Sequence, residues 1–289
     1  MNAHLLALLL LPFLQADRKQ EKPAPDLRNE KYGPHERNVL DLWKAKAETP
    51  TPLVVFIHGG GFRAGSKEAV SGGLVKKCLE SGISVAAINY RLSQHAPFPA
   101  AMHDSGRALQ HLRSKAKEWN LDPDRFAATG GSAGGGISLW LAFHDDLADP
   151  KSDDPIARLS TRVRCVVGTG AQCSYDPRWI KEHIGGRAHE HPALLPFYGL
   201  KAEELETEKA YALFREASAL THLTKDDPPV YLYYNGRDKP GDKPGAGIHS
   251  EKYGTALQEE MKKLGLVCEV KVGSQSLDEE IAFFVKHLK

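Results

Sequence analysis

The sequence predicts an α/β fold built on a doubly wound, mostly parallel sheet. Three observations carry this prediction. Short apolar runs of strand character alternate with amphipathic helical patterns along most of the chain, the order expected of a sheet covered by helices on both faces. Two of these runs pass directly into glycine-rich turns, Gly59-Gly60-Gly61 and Gly130-Gly131-Ser132-Ala133-Gly134. Finally, once the first 16 residues are set aside, about 270 residues remain, enough for one large core without a second domain.

Those first residues, MNAHLLALLLLPFLQA, hold an apolar run from Leu5 to Leu11 followed by the small Ala16. The pattern reads as a signal peptide at residues 1–16, so residues 17–289 form the domain and a secreted or periplasmic location is expected. The run is shorter than the ~20 apolar residues of a membrane span, and stable membrane insertion is not expected. Because no Lys or Arg precedes the run, a buried or interfacial helix is the competing reading.

Leu53 to Ile57 is the first strand, followed by a helical stretch with Leu74, Val75 and Cys78 and a second strand from Ile83 to Asn89. Asp104 to Trp119 reads as a helix, with Ala108, Leu112, Ala116 and Trp119 at spacings of three and four, stopped by Asp122-Pro123-Asp124. Phe126 to Thr129 is a short strand leading through the glycine turn into the apolar helix Ile137 to Phe143. Arg164–Val167, Val230–Tyr234 and Cys268–Val272 follow as strands. The helix between the last two places Tyr253, Leu257, Met261 and Leu264 on one face with Gly265 as its stop, and Glu279 to Leu288 closes the chain. Residues 169–227, about 60 in all, exceed what one crossover helix needs. They read either as a cap inserted over the sheet or as ordinary surface helices.

The formal charge is +1 with acids and bases interspersed, so no basic stripe points to nucleic acid; a small or neutral ligand fits better. Cys78, Cys165, Cys173 and Cys268 lack paired metal spacing. Export would permit a Cys165–Cys173 disulfide, but the apolar patterns around three of the four favour buried thiols.

The strongest chemical signal is Gly130-x-Ser132-x-Gly134 between a strand and a helix. A serine there sits on a tight elbow that exposes its hydroxyl at the helix N-terminus, and the flanking glycines let chain segments pass closely. The second is His58-Gly59-Gly60-Gly61-Phe62, also directly after a strand. Consecutive glycines let backbone N–H groups face a developing oxyanion, and the amides of Gly60, Gly61 and Ala133 are the expected donors. His58 is expected to brace this loop.

With Asn89-Tyr90-Arg91-Leu92 and Asp122-Pro123-Asp124-Arg125, these motifs resemble the α/β-hydrolases, and within them the hormone-sensitive-lipase-like and bacterial acetyl- or feruloyl-esterase-like branch. The resemblance covers residues 31–145 well and the rest in outline. It implies a serine hydrolase acting on carboxylic esters, of short acyl groups or of acetyl or feruloyl groups on polysaccharide, without metal or organic cofactor. It also implies that Asp104 is structural.

The family needs an acid after a late strand and a histidine after the last. Asp238 follows Val230–Tyr234 at the edge where such sheets carry their sites, with Asp242 and Asp176 as alternatives, while Asp226 and Asp227 face the wrong edge. The loop Gly273 to Leu277 contains no histidine, and His287 lies too far along the closing helix. His249, which ends the loop begun by Asp238, is the replacement, although a position before a helix start disfavours an imidazolium. His183, His189, His191 and His222 are the other candidates. Catalytic Ser132, Asp238 and His249 with the Gly60, Gly61 and Ala133 oxyanion hole is therefore the reading. An inactive binding relative without a base, or a peptidase on the same fold, stands as the alternative.

Overall fold

Eight strands form one sheet in the order β1-β2-β4-β3-β5-β6-β7-β8 in a computed structural model that describes residues 22–289. The apolar run and Ala16 lie outside the described residues. The strands are β1 (Leu27–Lys31), β2 (Val39–Trp43), β3 (Thr51–Ile57), β4 (Ser84–Ile88), β5 (Leu121–Gly131), β6 (Val166–Thr169), β7 (Val230–Tyr234) and β8 (Cys268–Val272). β1 and β2 join antiparallel, and from β4 to β8 every neighbouring pair is parallel.

The helices are α1 (Gly72–Glu80), α2 (Ala100–Ser114), α3 (Ala116–Trp119), α4 (Ala133–Phe143), α5 (Pro177–His183), α6 (Leu194–Tyr198), α7 (Glu208–Ala217), α8 (Lys252–Lys263) and α9 (Leu277–Leu288). Alternation along β3 explains the double winding. Leu53, Val55 and Ile57 pack with residues of α2, α4 and α8, while Val54 packs with α1 and α9 on the opposite face. All four are fully buried. Among the described residues no helix is long and apolar enough to cross a membrane.

The doubly wound parallel sheet agrees with the sequence reading, but Leu53–Ile57 is not the first strand: the antiparallel β1 and β2 precede it, and the remaining differences lie at boundaries. The helix expected from Asp104 begins at Ala100 and ends in two pieces, with Asn120 in the left-handed region (φ 58°) as the terminator. Asp122-Pro123-Asp124 therefore does not stop it but belongs to β5, which starts at Leu121 because Leu121 pairs with Thr51. β6 begins at Val166 rather than Arg164, whose guanidinium instead reaches the Asp124 carbonyl. Leu264 is 41% exposed, since α8 ends at Lys263 and Leu264 has turned out of the buried face. All four cysteines are free thiols, with Cys78, Cys165 and Cys173 buried.

Between β6 and β7 run α5, α6, α7 and short 3-10 turns. Phe197 of α6 stacks on Phe62 at 4.1 Å and contacts Tyr175 at 5.4 Å, which seats this segment against the turn after β3.

Candidate active site

Three loops meet at the C-terminal edge of the sheet, where open parallel sheets place their ligands. The first follows β5. Ser132 has φ 52° and ψ −123°, a conformation rare for a residue with a side chain, and its N–H donates to the Thr169 carbonyl at 2.8 Å. The flanking glycines are required by one neighbour. A Cβ on Gly130 would stand 2.3 Å from the Ile57 carbonyl oxygen, and one on Gly134 would stand 2.0 Å from the same atom. The sharp elbow thus exists because β3 presses against both of its arms.

The second loop follows β3. Gly60 (φ 107°) and Gly61 (φ 57°) form a turn in which the Gly60 carbonyl accepts from the Arg63 and Ala64 amides. The turn leaves the Gly60 and Gly61 amides without backbone acceptors among the described residues, and Ala133, the first residue of α4, has no intrahelical acceptor for its N–H. Gly61, Ala133 and Ser132 line a common cavity of about 30 Å³, together with Gln172, Tyr175 and His191. His58 braces this loop. Its ring is fully buried, stacks on Tyr90 at 4.2 Å, donates from Nδ1 to the Gly59 carbonyl at 2.7 Å and accepts at Nε2 from Arg37 at 3.2 Å. Burial, and then the Arg37 cation, lower its pKa to about 4, so it is a neutral strut with both nitrogens engaged.

The third loop follows β7. His249 Nε2 lies 2.8 Å from Ser132 Oγ, and its Nδ1 lies 3.3 Å from Asp238 Oδ2. Asp238 also accepts the Gly247 amide at Oδ1 and the His249 amide at Oδ2, at 2.8 and 2.7 Å. One carboxylate therefore holds both the backbone and the ring of the histidine. Ser132, His249 and Asp238 converge as a set although the loop between Asp238 and His249 has no regular structure.

The BD-FAE family model matches residues 40–240, which include both glycine turns and Asp238. The chain belongs to the BD-FAE family. Curated relatives of this BD-FAE chain include the "Probable carboxylic ester hydrolase LipM" of Mycobacterium tuberculosis, 29% identical over 72% of the chain and 47% of that protein. Esterase LipQ of the same organism is 25% identical over 72% of the chain and 48% of that protein. The chain thus spans about half the length of the curated relatives it matches. Among solved structures, a truncated carbohydrate esterase from gut microbiota superposes with a TM-score of 0.72 at 19% identity, covering 93% of this chain and 98% of the other. An acetyl ester-xyloside bifunctional hydrolase from Caldicellulosiruptor lactoaceticus gives a TM-score of 0.63 at 22% identity, over 86% and 85%. These neighbours share the α/β-hydrolase fold.

Other sequence candidates fall elsewhere in this BD-FAE domain. Asp176 caps α5 and pairs with Arg178 at 2.7 Å, and the Asp242 carbonyl serves Arg187. Asp227 is buried before β7, where its Oδ2 accepts the Thr224 amide. Asp104 is buried and takes a bidentate pair from Arg91, with contacts of 2.7 and 2.9 Å. His183 stacks on Trp179 and His287 packs on Phe283. Gln275 stands in the loop after β8 and lines the same 770 Å³ cleft as Ser132 and His249. His191 does reach the site, lining a second cleft of 1090 Å³ with Gly60, Gly61, Ser132 and His249. Its Nδ1 accepts from Ala193 N–H at 3.2 Å. Burial, then the nearby His249, holds the ring below the usual histidine range.

Sequence reasoning missed Gln172. Its buried amide donates to the Gly170 carbonyl at 3.0 Å and the Ile248 carbonyl at 2.7 Å, tying the end of β6 to the residue before His249. A lone glutamine in a loop carries no sequence signal for this role.

Proposed function

We propose that this chain hydrolyses carboxylic esters through an acyl-enzyme on Ser132. The observation that carries this reading is the 2.8 Å contact between His249 Nε2 and Ser132 Oγ, with Asp238 behind the ring. It supplies a base from the β7 loop in a chain whose β8 loop has none. In the neutral imidazole, Nδ1–H faces the carboxylate and the Nε2 lone pair accepts the serine proton. Ser132 Oγ adds to the acyl carbonyl as its proton moves to Nε2. Asp238 stabilises the imidazolium, and the Gly60, Gly61 and Ala133 amides at the positive end of α4 stabilise the oxyanion. Collapse of the adduct transfers the Nε2 proton to the leaving alkoxide. Water then attacks the acyl group by the same sequence and restores Ser132.

The cavity of about 30 Å³ beside Ser132 favours a short acyl group such as acetyl over feruloyl, and the wide clefts on either side leave room for a carbohydrate alcohol. The carbohydrate esterase and the acetyl ester-xyloside hydrolase among its structural neighbours fit this reading. Segment 169–227 serves as a cap in this reading, and the leader at 1–16 directs export. A fluorophosphonate probe labelling the parent but not Ser132→Ala, with acetyl esters turned over faster than feruloyl esters, is the expected outcome. A parent that is neither labelled nor active would leave a binding protein. Mass measurement of exported protein tests the leader, with Asp17 expected near the new N-terminus.

A further inference from the structure

We propose that His144, Glu216 and His222 form a binding site for a divalent transition-metal ion, zinc above all, at the opposite end of α4 from Ser132. One donor atom from each residue lies within 4.8 Å of the others, although the three are dispersed over 79 positions with no contiguous motif. In a tetrahedral site with metal–ligand bonds of ~2.0–2.1 Å, donors stand ~3.3 Å apart, so small side-chain rotations would complete the geometry.

The hydrogen bonds around the two rings set the tautomers that a metal needs. His144 Nδ1 lies 2.8 Å from the Asp145 carbonyl oxygen, which can only accept, so Nδ1 carries the hydrogen and Nε2 is left with a lone pair. That Nε2 faces Glu216 Oε1 at 2.9 Å, another acceptor. Two facing acceptors require a cation between them, either a proton or a metal ion. His222 repeats the pattern. Its Nε2 donates to the Glu216 backbone carbonyl at 2.9 Å, which frees Nδ1 as the ligand. A backbone carbonyl behind each metal-binding imidazole is the usual outer-shell arrangement, since it fixes the tautomer and raises ligand basicity.

The surroundings are already ordered. Trp140 stacks on His144 at 4.0 Å, and its Nε1–H donates to the Glu216 carbonyl at 2.8 Å, so the carbonyl that positions His222 is itself anchored to α4. Two nitrogens and one carboxylate oxygen suit zinc, copper or nickel better than calcium or magnesium, which take oxygen ligands. The remaining positions would go to water, because Glu216 is exposed and both histidines are partly so. α4 spans 11 residues, about 16 Å, which puts the ion outside the ester chemistry. It would clamp the α7 end of the 169–227 segment to the helix that follows Ser132.

Cobalt(II) and zinc(II) titrations of untagged protein test the site. One equivalent of Co²⁺ should produce visible d–d absorption that Zn²⁺ bleaches. His144→Ala and His222→Ala should each weaken Zn²⁺ binding by ~100-fold or more, at or beyond the upper end of the 10–100-fold cost of losing an outer-shell partner. Glu216→Gln, which keeps the shape, should weaken it less, and saturating Zn²⁺ should raise the parent's Tm by several degrees but not that of His222→Ala. Circular dichroism and retained ester turnover of the variants would establish that they fold. No saturable binding by the parent would overturn the proposal. Binding unchanged in both histidine variants would place the ion elsewhere and overturn it equally.

Discussion

Asp238 makes three contacts with the segment that carries His249, and this decides how its variants should behave. It accepts the Gly247 and His249 amides and faces the ring. On a short activated ester, Ser132→Ala and His249→Ala should each lower kcat by ~1,000-fold or more, with the double variant hardly worse than either single one. Asp238→Asn keeps one acceptor for the loop and should cost less, whereas Asp238→Ala releases the loop and should approach the loss of the histidine. Equal effects of Asn and Ala would mean that the carboxylate acts through its charge alone. At Gly60 the loop is equally constrained. A Cβ there would lie 2.2 Å from the Ala64 carbonyl oxygen at φ 107°. Gly60→Ala should therefore displace an oxyanion donor and lower kcat by ~100-fold or more. An unchanged kcat would remove this loop from the reaction.

The elbow between β5 and α4 is an element whose shape β3 imposes. Gly134→Ala would bring a methyl group 2.0 Å from the Ile57 carbonyl oxygen and 2.7 Å from that of His58. Both are backbone atoms of the strand end and cannot rotate away. Overpacking of this kind costs ~1–3 kcal/mol, or several degrees of Tm in a domain of this size. Thermal melting of Gly134→Ala should register that loss. An unchanged Tm would mean that the elbow relaxes without cost. Its Gly-x-Ser-x-Gly pattern was legible because steric demand of this kind leaves only glycine at fixed positions. The turn at Asn120 was less so, since one residue in the left-handed region ended the helix before the Asp-Pro-Asp that looked like its stop.

For the whole domain, two buried charge features set the response to solution conditions. Lys67 Nζ pairs with Asp41 Oδ2 at 2.8 Å with both residues nearly inaccessible, joining the segment after the Gly59–Gly61 turn to β2. Lys67→Met would leave Asp41 buried and unpaired at a cost of ~3–5 kcal/mol, readable as a lower urea midpoint. A midpoint equal to the parent's would show that Asp41 finds another partner. His58, with a folded pKa of about 4 against 6.5 unfolded, adds a pH response. Between those values the unfolded chain binds the extra proton, so stability falls as pH drops from 6.5 to 4, by up to ~3 kcal/mol from this group. His58→Gln should be less stable than the parent at pH 7 and lose less on acidification. Parallel stability–pH curves would contradict this.

The sequence by itself determined the parallel sheet, the elbow serine and the glycine loop, because these depend on local demands: apolar periodicity, strand-to-turn order and positions where a Cβ cannot fit. It also singled out His249 as the candidate base, since a loop without histidine after β8 directed attention to it. Two antiparallel strands, β1 and β2, were not legible, because Leu27–Lys31 is largely exposed and charged and Val39–Trp43 carries Asp41 at its centre. Which of five histidines meets Ser132, what Gln172 holds in place, and that His144, Glu216 and His222 come together were decided by tertiary structure alone. Each joins residues far apart in the chain, and such contacts arise only when the sheet has set the loops at its edge and the helices on its face.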